Sequence, residues 1–234
     1  MPVVGYRRLS LEDYPGRLCA TAYVAGCNFR CPYCTNVDLV LNHLGLREIP
    51  EAEVLNHLYR VRGYLSGLCL SGGEPTLHNG LLSFVYKVKS LGYGVKIDSN
   101  GTRPRRLRKL MEERLIDYVT LDVKAPLDRY SEVVRAKVDV KSIEESIRLL
   151  RRGGVEHEFR TTAIPGLIGG DELEEIAKTL VGSKRFVIQR WRPGETMCPD
   201  FSGVEPYSVR EMEGFRERVR HYFSDCVEGV AGPG

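Results

Sequence analysis

The stretch Leu68-Cys69-Leu70-Ser71-Gly72-Gly73-Glu74-Pro75 decides the fold. A short apolar run that ends in a glycine pair, a carboxylate and a proline reads as a strand passing into a turn. Five more β-rich runs flank it: Cys19 to Ala25, Gly94 to Asp98, Tyr118 to Val123, Glu158 to Ala163 and Arg185 to Gln189. Between them, helical periodicity predicts helices near 51–62, 79–91, 104–115, 141–152, 171–181 and 206–222. Gly63, Gly92 and Gly153 stand where helices would stop, and Asp171 with Glu174 has the spacing of a capping box. A turn at Asp13-Tyr14-Pro15-Gly16 precedes the first run. About six βα units imply a parallel sheet with right-handed crossovers. A full eight-unit barrel takes about 250 residues, so 234 residues predict an α/β fold built as a partial (β/α)6 TIM-like barrel with outer helices. Residues 1–228 are expected to form one domain, and 229–234 a frayed tail.

Composition narrows the class. A hydrophobic content of 42% and a charged content of 28% exclude a disordered tail protein or a collagen-like repeat. The net charge of +3 is spread along the chain and is too mild to argue for nucleic acid, so none is expected as a partner. No apolar run approaches the ~20 residues of a membrane span, and the first eight residues lack a signal-peptide core. No membrane partner is expected, and the protein is read as cytoplasmic. In that compartment seven cysteines do not suggest a disulfide framework.

Chemically capable groups follow four successive strands at their C-terminal edge. Cys27 follows the first, Glu74 the second, Asp98 and Asn100 the third, Asp122 and Lys124 the fourth. Parallel α/β folds gather their active sites at that edge, because the loops converge there.

Cys27, Cys31 and Cys34 fall within Gly26-Cys27-Asn28-Phe29-Arg30-Cys31-Pro32-Tyr33-Cys34, while the other four cysteines are scattered. Three thiolates this close can wrap one soft metal centre. A zinc site would need a fourth ligand, for which His43 is a candidate. A [4Fe–4S] cluster normally takes four cysteines, so three leave one iron open. A chance trio of core cysteines is the bland alternative.

With Tyr33 as the aromatic residue, the Cys-x3-Cys-x-aromatic-Cys pattern resembles the radical S-adenosylmethionine (radical SAM) enzymes, which are partial β6α6 barrels. The turn at 13–16, Ser71-Gly72-Gly73-Glu74-Pro75-Thr76, Asp98-Ser99-Asn100-Gly101, Leu121-Asp122-Val123-Lys124-Ala125-Pro126 and Phe159-Arg160-Thr161-Thr162 resemble one subgroup. That subgroup is the anaerobic ribonucleoside-triphosphate reductase-activating proteins, relatives of the pyruvate formate-lyase activating enzyme. The resemblance implies that Cys27, Cys31 and Cys34 ligate three irons of a [4Fe–4S] cluster whose fourth iron takes S-adenosylmethionine. It implies that Gly72, Gly73 and Glu74 hold the methionyl amine. Paired glycines suit this role because they let backbone approach a ligand closely. Asp98, Ser99, Asn100, Asp122 and Lys124 would face the ribose and carboxylate, with Tyr33 and Thr35 beside the cofactor. Thr35 stands where the subgroup often carries His. Asp98, Ser99, Thr120 and Asp122 match the places where relatives hold a monovalent cation, with Ser for Thr and Thr for an apolar residue.

The bland reading of Asp122 and Lys124 is a strand-end salt bridge; residues two apart share a face either way. Trp191 could be core, a platform for adenine or an anchor for a partner, and Cys198 an incidental thiol, a hydrogen donor or a ligand. Arg60-Val61-Arg62-Gly63-Tyr64 resembles a glycyl-radical motif but sits where a helix ends.

The function so implied is an activase. One electron from flavodoxin or ferredoxin cleaves S-adenosylmethionine, and the resulting radical takes hydrogen from a glycine of an anaerobic ribonucleotide reductase. Cluster potentials span roughly −700 to +450 mV, and sulfonium cleavage needs the low end, so oxygen sensitivity is expected. The alternatives are the same chemistry on a small molecule or RNA base, and a non-enzymatic iron–sulfur or zinc module.

Overall fold

The computed structural model describes residues 1–41 and 45–230. His43, the candidate zinc ligand, lies outside the described residues, as do 231–234. One eight-stranded sheet runs in sequence order: β1 (Val3–Ser10), β2 (Cys19–Val24), β3 (Gly67–Gly72), β4 (Gly94–Ser99), β5 (Tyr118–Asp122), β6 (Glu156–Ala163), β7 (Arg185–Arg190) and β8 (Asp225–Val230). Strands β2 to β8 are parallel, and β1 pairs antiparallel with β2. The helices are α1 (Val37–Leu41), α2 (Glu51–Arg60), α3 (Leu81–Ser90), α4 (Pro104–Glu112), α5 (Tyr130–Val133), α6 (Val140–Arg151), α7 (Gly170–Thr179) and α8 (Val209–Val219).

The six expected strands are β2 to β7, each within a residue or two of its expected bounds, and the open α/β barrel they form is the expected architecture. Two differences stand out. Both edge strands, β1 and β8, escaped the sequence reading. Gly229 and Val230 are not frayed, since they pair with Gln189 and Arg190 at the end of β8. A smaller correction concerns α7, which starts ahead of Asp171. Glu172 accepts the backbone N–H of Gly169 at 2.9 Å, while Asp171 and Glu174 pair with Arg218 on the surface.

The sheet has two unlike faces because strand side chains alternate. Leu68, Leu70, Val95, Ile97, Val119, Leu121 and Phe159 are fully buried in one apolar core with Phe84, Leu107, Ile147 and Ile176 of the helices. Each such side chain contributes roughly 1.5–3 kcal/mol. The opposite, inner face carries Ser71, Lys96, Asp98, Thr120, Asp122, Glu158 and Arg160. The chain thus glues its sheet from the outside and keeps the inside polar.

The turn at 13–16 closes the N-terminal end of this inner face. Tyr14 is 3% exposed and packs against Cys19, Cys69 and Tyr118. Glycine starts both β3 and β4, where the 13–17 segment lies close. A Cβ at Gly67 would lie 2.8 Å from the Tyr14 ring, and one at Gly94 would lie 2.6 Å from the Arg17 guanidinium. With that end plugged, the open end is the C-terminal edge.

Candidate active site

At that edge the loop after β2 carries the three cysteines, and backbone hydrogen bonds hold it from several sides. Gly26 N–H donates to Leu39 O at 2.7 Å, and Arg30 N–H to Val134 O at 2.9 Å. A strap from beyond β7 crosses it, with Cys198 N–H donating to Pro32 O at 2.9 Å and Met197 N–H to Cys34 O at 3.0 Å. Cys31 and Tyr33 are buried, Cys27 and Cys34 partly so, and Thr35 is exposed. Burial pushes the thiols up, to about 11 for Cys27 and about 12 for Cys31, and Cys34 also rises. The Lys124 ammonium opposes the shift at all three. Thiols so placed become thiolates when a positive centre enters among them. Among the described residues, no three Cys, His, Asp or Glu side chains surround one point as a single ion would require. A cluster that takes one thiolate per iron makes no such demand, so the donor set fits an iron–sulfur group better than zinc.

The glycine pair after β3 lies against this loop. Gly73 N–H donates to Val24 O and Glu74 N–H to Gly26 O, both at 2.8 Å. A Cβ on Gly73 would stand 1.9 Å from Gly26 O, and one on Gly72, whose φ is +105°, 2.7 Å from Val24 backbone. These glycines therefore let two strand exits touch, an explanation that needs no ligand.

Glu74, which the resemblance gives to the methionyl amine, is engaged here by the protein's own donors. It is 1% exposed, and its Oε1 accepts from Thr76 N–H at 3.0 Å, Ser99 Oγ at 2.9 Å and the Thr76 hydroxyl. Its Oε2 accepts from Asn100 N–H at 2.6 Å. Burial raises its pKa, and these donors counter the rise. Glu74 and Ser99 thus stitch the end of β3 to the end of β4. Asn100 reaches the cysteine loop, donating to Asn28 Oδ1 at 2.9 Å and lying 3.9 Å from Cys27 Sγ.

Below the mouth the inner face holds a chain of alternating charges. Asp98 pairs with the Lys96 ammonium, accepts from Ser71 Oγ at 3.1 Å and meets Arg160 Nη2 at 3.3 Å. Asp122 accepts from Arg160 Nε at 2.6 Å and Nη2 at 3.2 Å, and pairs with Lys124 Nζ at 3.0 Å. Burial alone would raise both carboxyls. The cations outweigh it and hold both below the usual carboxylate range. Asp98, Asp122 and Lys124 are thus brought together as expected. Lys96 is a member that sequence reasoning missed, although it stands two residues before Asp98 and so shares its face. Arg160 is the hub, a larger part than its place in a motif suggested. Trp191 is buried in the core. A cavity of about 670 Å³ lies at the opposite end of the strands, between Met111, Arg151 and Gly182, and touches none of these groups.

Fold and site together define an open α/β-barrel enzyme scaffold whose thiols and charges gather at the carboxyl ends of its strands. The chain belongs to the radical SAM superfamily, which its residues 22–180 match. Membership implies a [4Fe–4S] cluster and S-adenosylmethionine. A Methanocaldococcus jannaschii protein named as a glycyl-radical enzyme activating enzyme is 32% identical over 96% of this chain and 94% of its own length. The pyruvate formate-lyase-activating enzyme of Streptococcus mutans is 30% identical, covering 89% of this chain and 91% of that one. Among solved structures, Streptococcus suis SuiB bound to S-adenosylmethionine superposes with a TM-score of 0.66 at 14% identity. The likeness covers 90% of this chain and 49% of that one, and shows the shared fold.

Proposed function

We propose that this radical SAM enzyme is an activase that installs a glycyl radical on a partner protein, with an anaerobic ribonucleotide reductase as the target. The observation that carries the reading is a likeness to a glycyl-radical activating relative over 96% of this chain and 94% of the relative.

In this reading Cys27, Cys31 and Cys34 hold the cluster, and flavodoxin or ferredoxin delivers the electron. When bound, the cluster and S-adenosylmethionine supply a 5′-deoxyadenosyl radical that removes hydrogen from the target glycine. The protein's part is to hold and orient. Loading the loop releases three thiol protons whose affinity burial has raised, and Lys124 eases that release. Asp122 fixes the Lys124 ammonium, which would offer a positive charge to the carboxylate of a bound cofactor. Asn100 bridges the β4 exit and the cysteine loop, tying the two walls of the site together. Glu74 and Ser99 act behind them as positioning residues.

The test is anaerobic reconstitution, reduction and incubation with the candidate reductase, read by 5′-deoxyadenosine release and the electron spin resonance signal of a glycyl radical. Both should appear, and both should vanish in Cys31→Ala. Release of 5′-deoxyadenosine with a spin-silent reductase would overturn the choice of target and favour a small-molecule or RNA substrate.

A further inference from the structure

We infer that Lys96 and Arg160 take the place of a monovalent metal cation at the inner carboxylates, so that this enzyme works without added Na⁺ or K⁺. The inference rests on the reading of this edge as the cofactor site.

The four residues matched to the relatives' cation site do not fit one here. An alkali cation needs several oxygen lone pairs turned toward one point. Asp98 is already engaged by the Lys96 ammonium, Arg160 Nη2 at 3.3 Å and Ser71 Oγ at 3.1 Å. Asp122 is engaged by Arg160 through two nitrogens, at 2.6 and 3.2 Å, and by Lys124 at 3.0 Å. The Ser99 hydroxyl turns the other way, donating to Glu74 at 2.9 Å and accepting Gly101 N–H at 3.1 Å. The Thr120 hydroxyl donates to Glu158 at 3.0 Å. Each of the four side chains is already engaged within the protein and none is turned toward a shared empty centre.

The charge balance points the same way. Each of the two carboxylates already faces two side-chain cations, Lys96 and Arg160 at Asp98 and Arg160 and Lys124 at Asp122, so a further cation there would meet like charge at close range. Lys96 is central to this. Its side chain is 3% exposed, and its ammonium pairs with Asp98 and lies 3.8 Å from the Cys69 sulfur. An ammonium is a compact point charge, comparable in role to a bare alkali ion. Arg160 then spans both carboxylates, meeting Asp98 through Nη2 and Asp122 through Nε and Nη2.

The experiment uses the full reconstituted chain in NaCl, KCl or choline chloride at equal ionic strength. Release of 5′-deoxyadenosine by the unmodified protein should differ by less than about threefold among the three salts. Lys96→Met should lose more than about threefold in choline relative to Na⁺ or K⁺, and Lys96→Arg should not. A second arm needs no turnover. The metal-free chain should melt within about 1 °C in all three salts, whereas Lys96→Met should gain several degrees, roughly 3–5 °C, from Na⁺ or K⁺ over choline. A larger loss in choline by the unmodified enzyme, or its own stabilisation by Na⁺ or K⁺, would overturn the inference, even if Lys96→Met fails to fold. Absence of cleavage in every salt would instead sink the proposed activity, and the melting arm would still decide this point.

Discussion

Replacing Gly73 by alanine tests how the two halves of the site are joined. The added carbon would stand 1.9 Å from Gly26 O, 2.6 Å from Gly26 C and 3.1 Å from Gly26 N. All three are backbone atoms, so no side-chain rotation relieves the overlap, and the β3 exit must part from the cysteine loop by about 1 Å or more. Two backbone hydrogen bonds span that seam, Gly73 to Val24 and Glu74 to Gly26. Losing them costs about 1 kcal/mol each, and overpacking adds roughly 1–3 kcal/mol. The sum, about 3–5 kcal/mol, corresponds to a fall in Tm of roughly 6–20 °C for a chain of this length. Urea unfolding of the metal-free protein measures the cost, and iron content after anaerobic reconstitution measures the damage to the loop. Gly92→Ala is the control. Its φ is +89° with nothing within 4 Å of the added carbon, so it meets only the left-handed backbone penalty of about 1–2 kcal/mol. A Gly73→Ala protein as stable as Gly92→Ala, and loading iron normally, would refute the reasoning.

Three further outcomes are expected. Tyr14→Ala opens the plugged end and should cost roughly 3–5 kcal/mol in urea melts; a change within about 0.5 kcal/mol would show that the turn is not part of the packed structure. Glu74→Gln sets an amide donor against a row of donors and should cost about 1–3 kcal/mol, which thermal melts of the metal-free chain would register. The Asp122 carboxyl is held below its ordinary value of about 3.9, so its contribution to stability is complete above that pH and is lost as pH falls toward its folded pKa. Asp122→Asn should therefore be less stable than the unmodified protein at pH 7 and lose less on acidification. Equal losses of stability by the two proteins between pH 7 and about pH 3, read by urea melts, would contradict the pairing with Arg160 and Lys124.

Much of the fold was legible because its parallel strands are apolar runs closed by turns, as in 68–75. Strands β1 and β8 were not legible for a physical reason. Val3–Ser10 carries Gly5 and two arginines, and Asp225–Val230 carries two carboxylates and a glycine, so neither shows the apolar run of an inner strand. Edge strands bear less burial and declare themselves less. At the site, the residues at the strand ends were visible, but not their directions. Asp98 and Ser99 read as a single polar group, yet neighbours on a strand face opposite ways: Asp98 lies inside with Arg160, and Ser99 lies outside against Glu74. The alternation of Lys96 with Asp98, Thr120 with Asp122 and Glu158 with Arg160 does foretell a polar inner face. Which acid meets which base depends on register between strands, such as Asp122 opposite Arg160, and no single strand records that.

The strap at Met197 and Cys198 sets where the rim of the site can breathe. The β2 and β3 strands are zipped along six paired positions, whereas two backbone hydrogen bonds join the strap to the cysteine loop. Those two bonds are worth about 2 kcal/mol together. The strap is thus the lightly tied side of the mouth, fastened to the cysteine loop by two bonds where the sheet is fastened along its length.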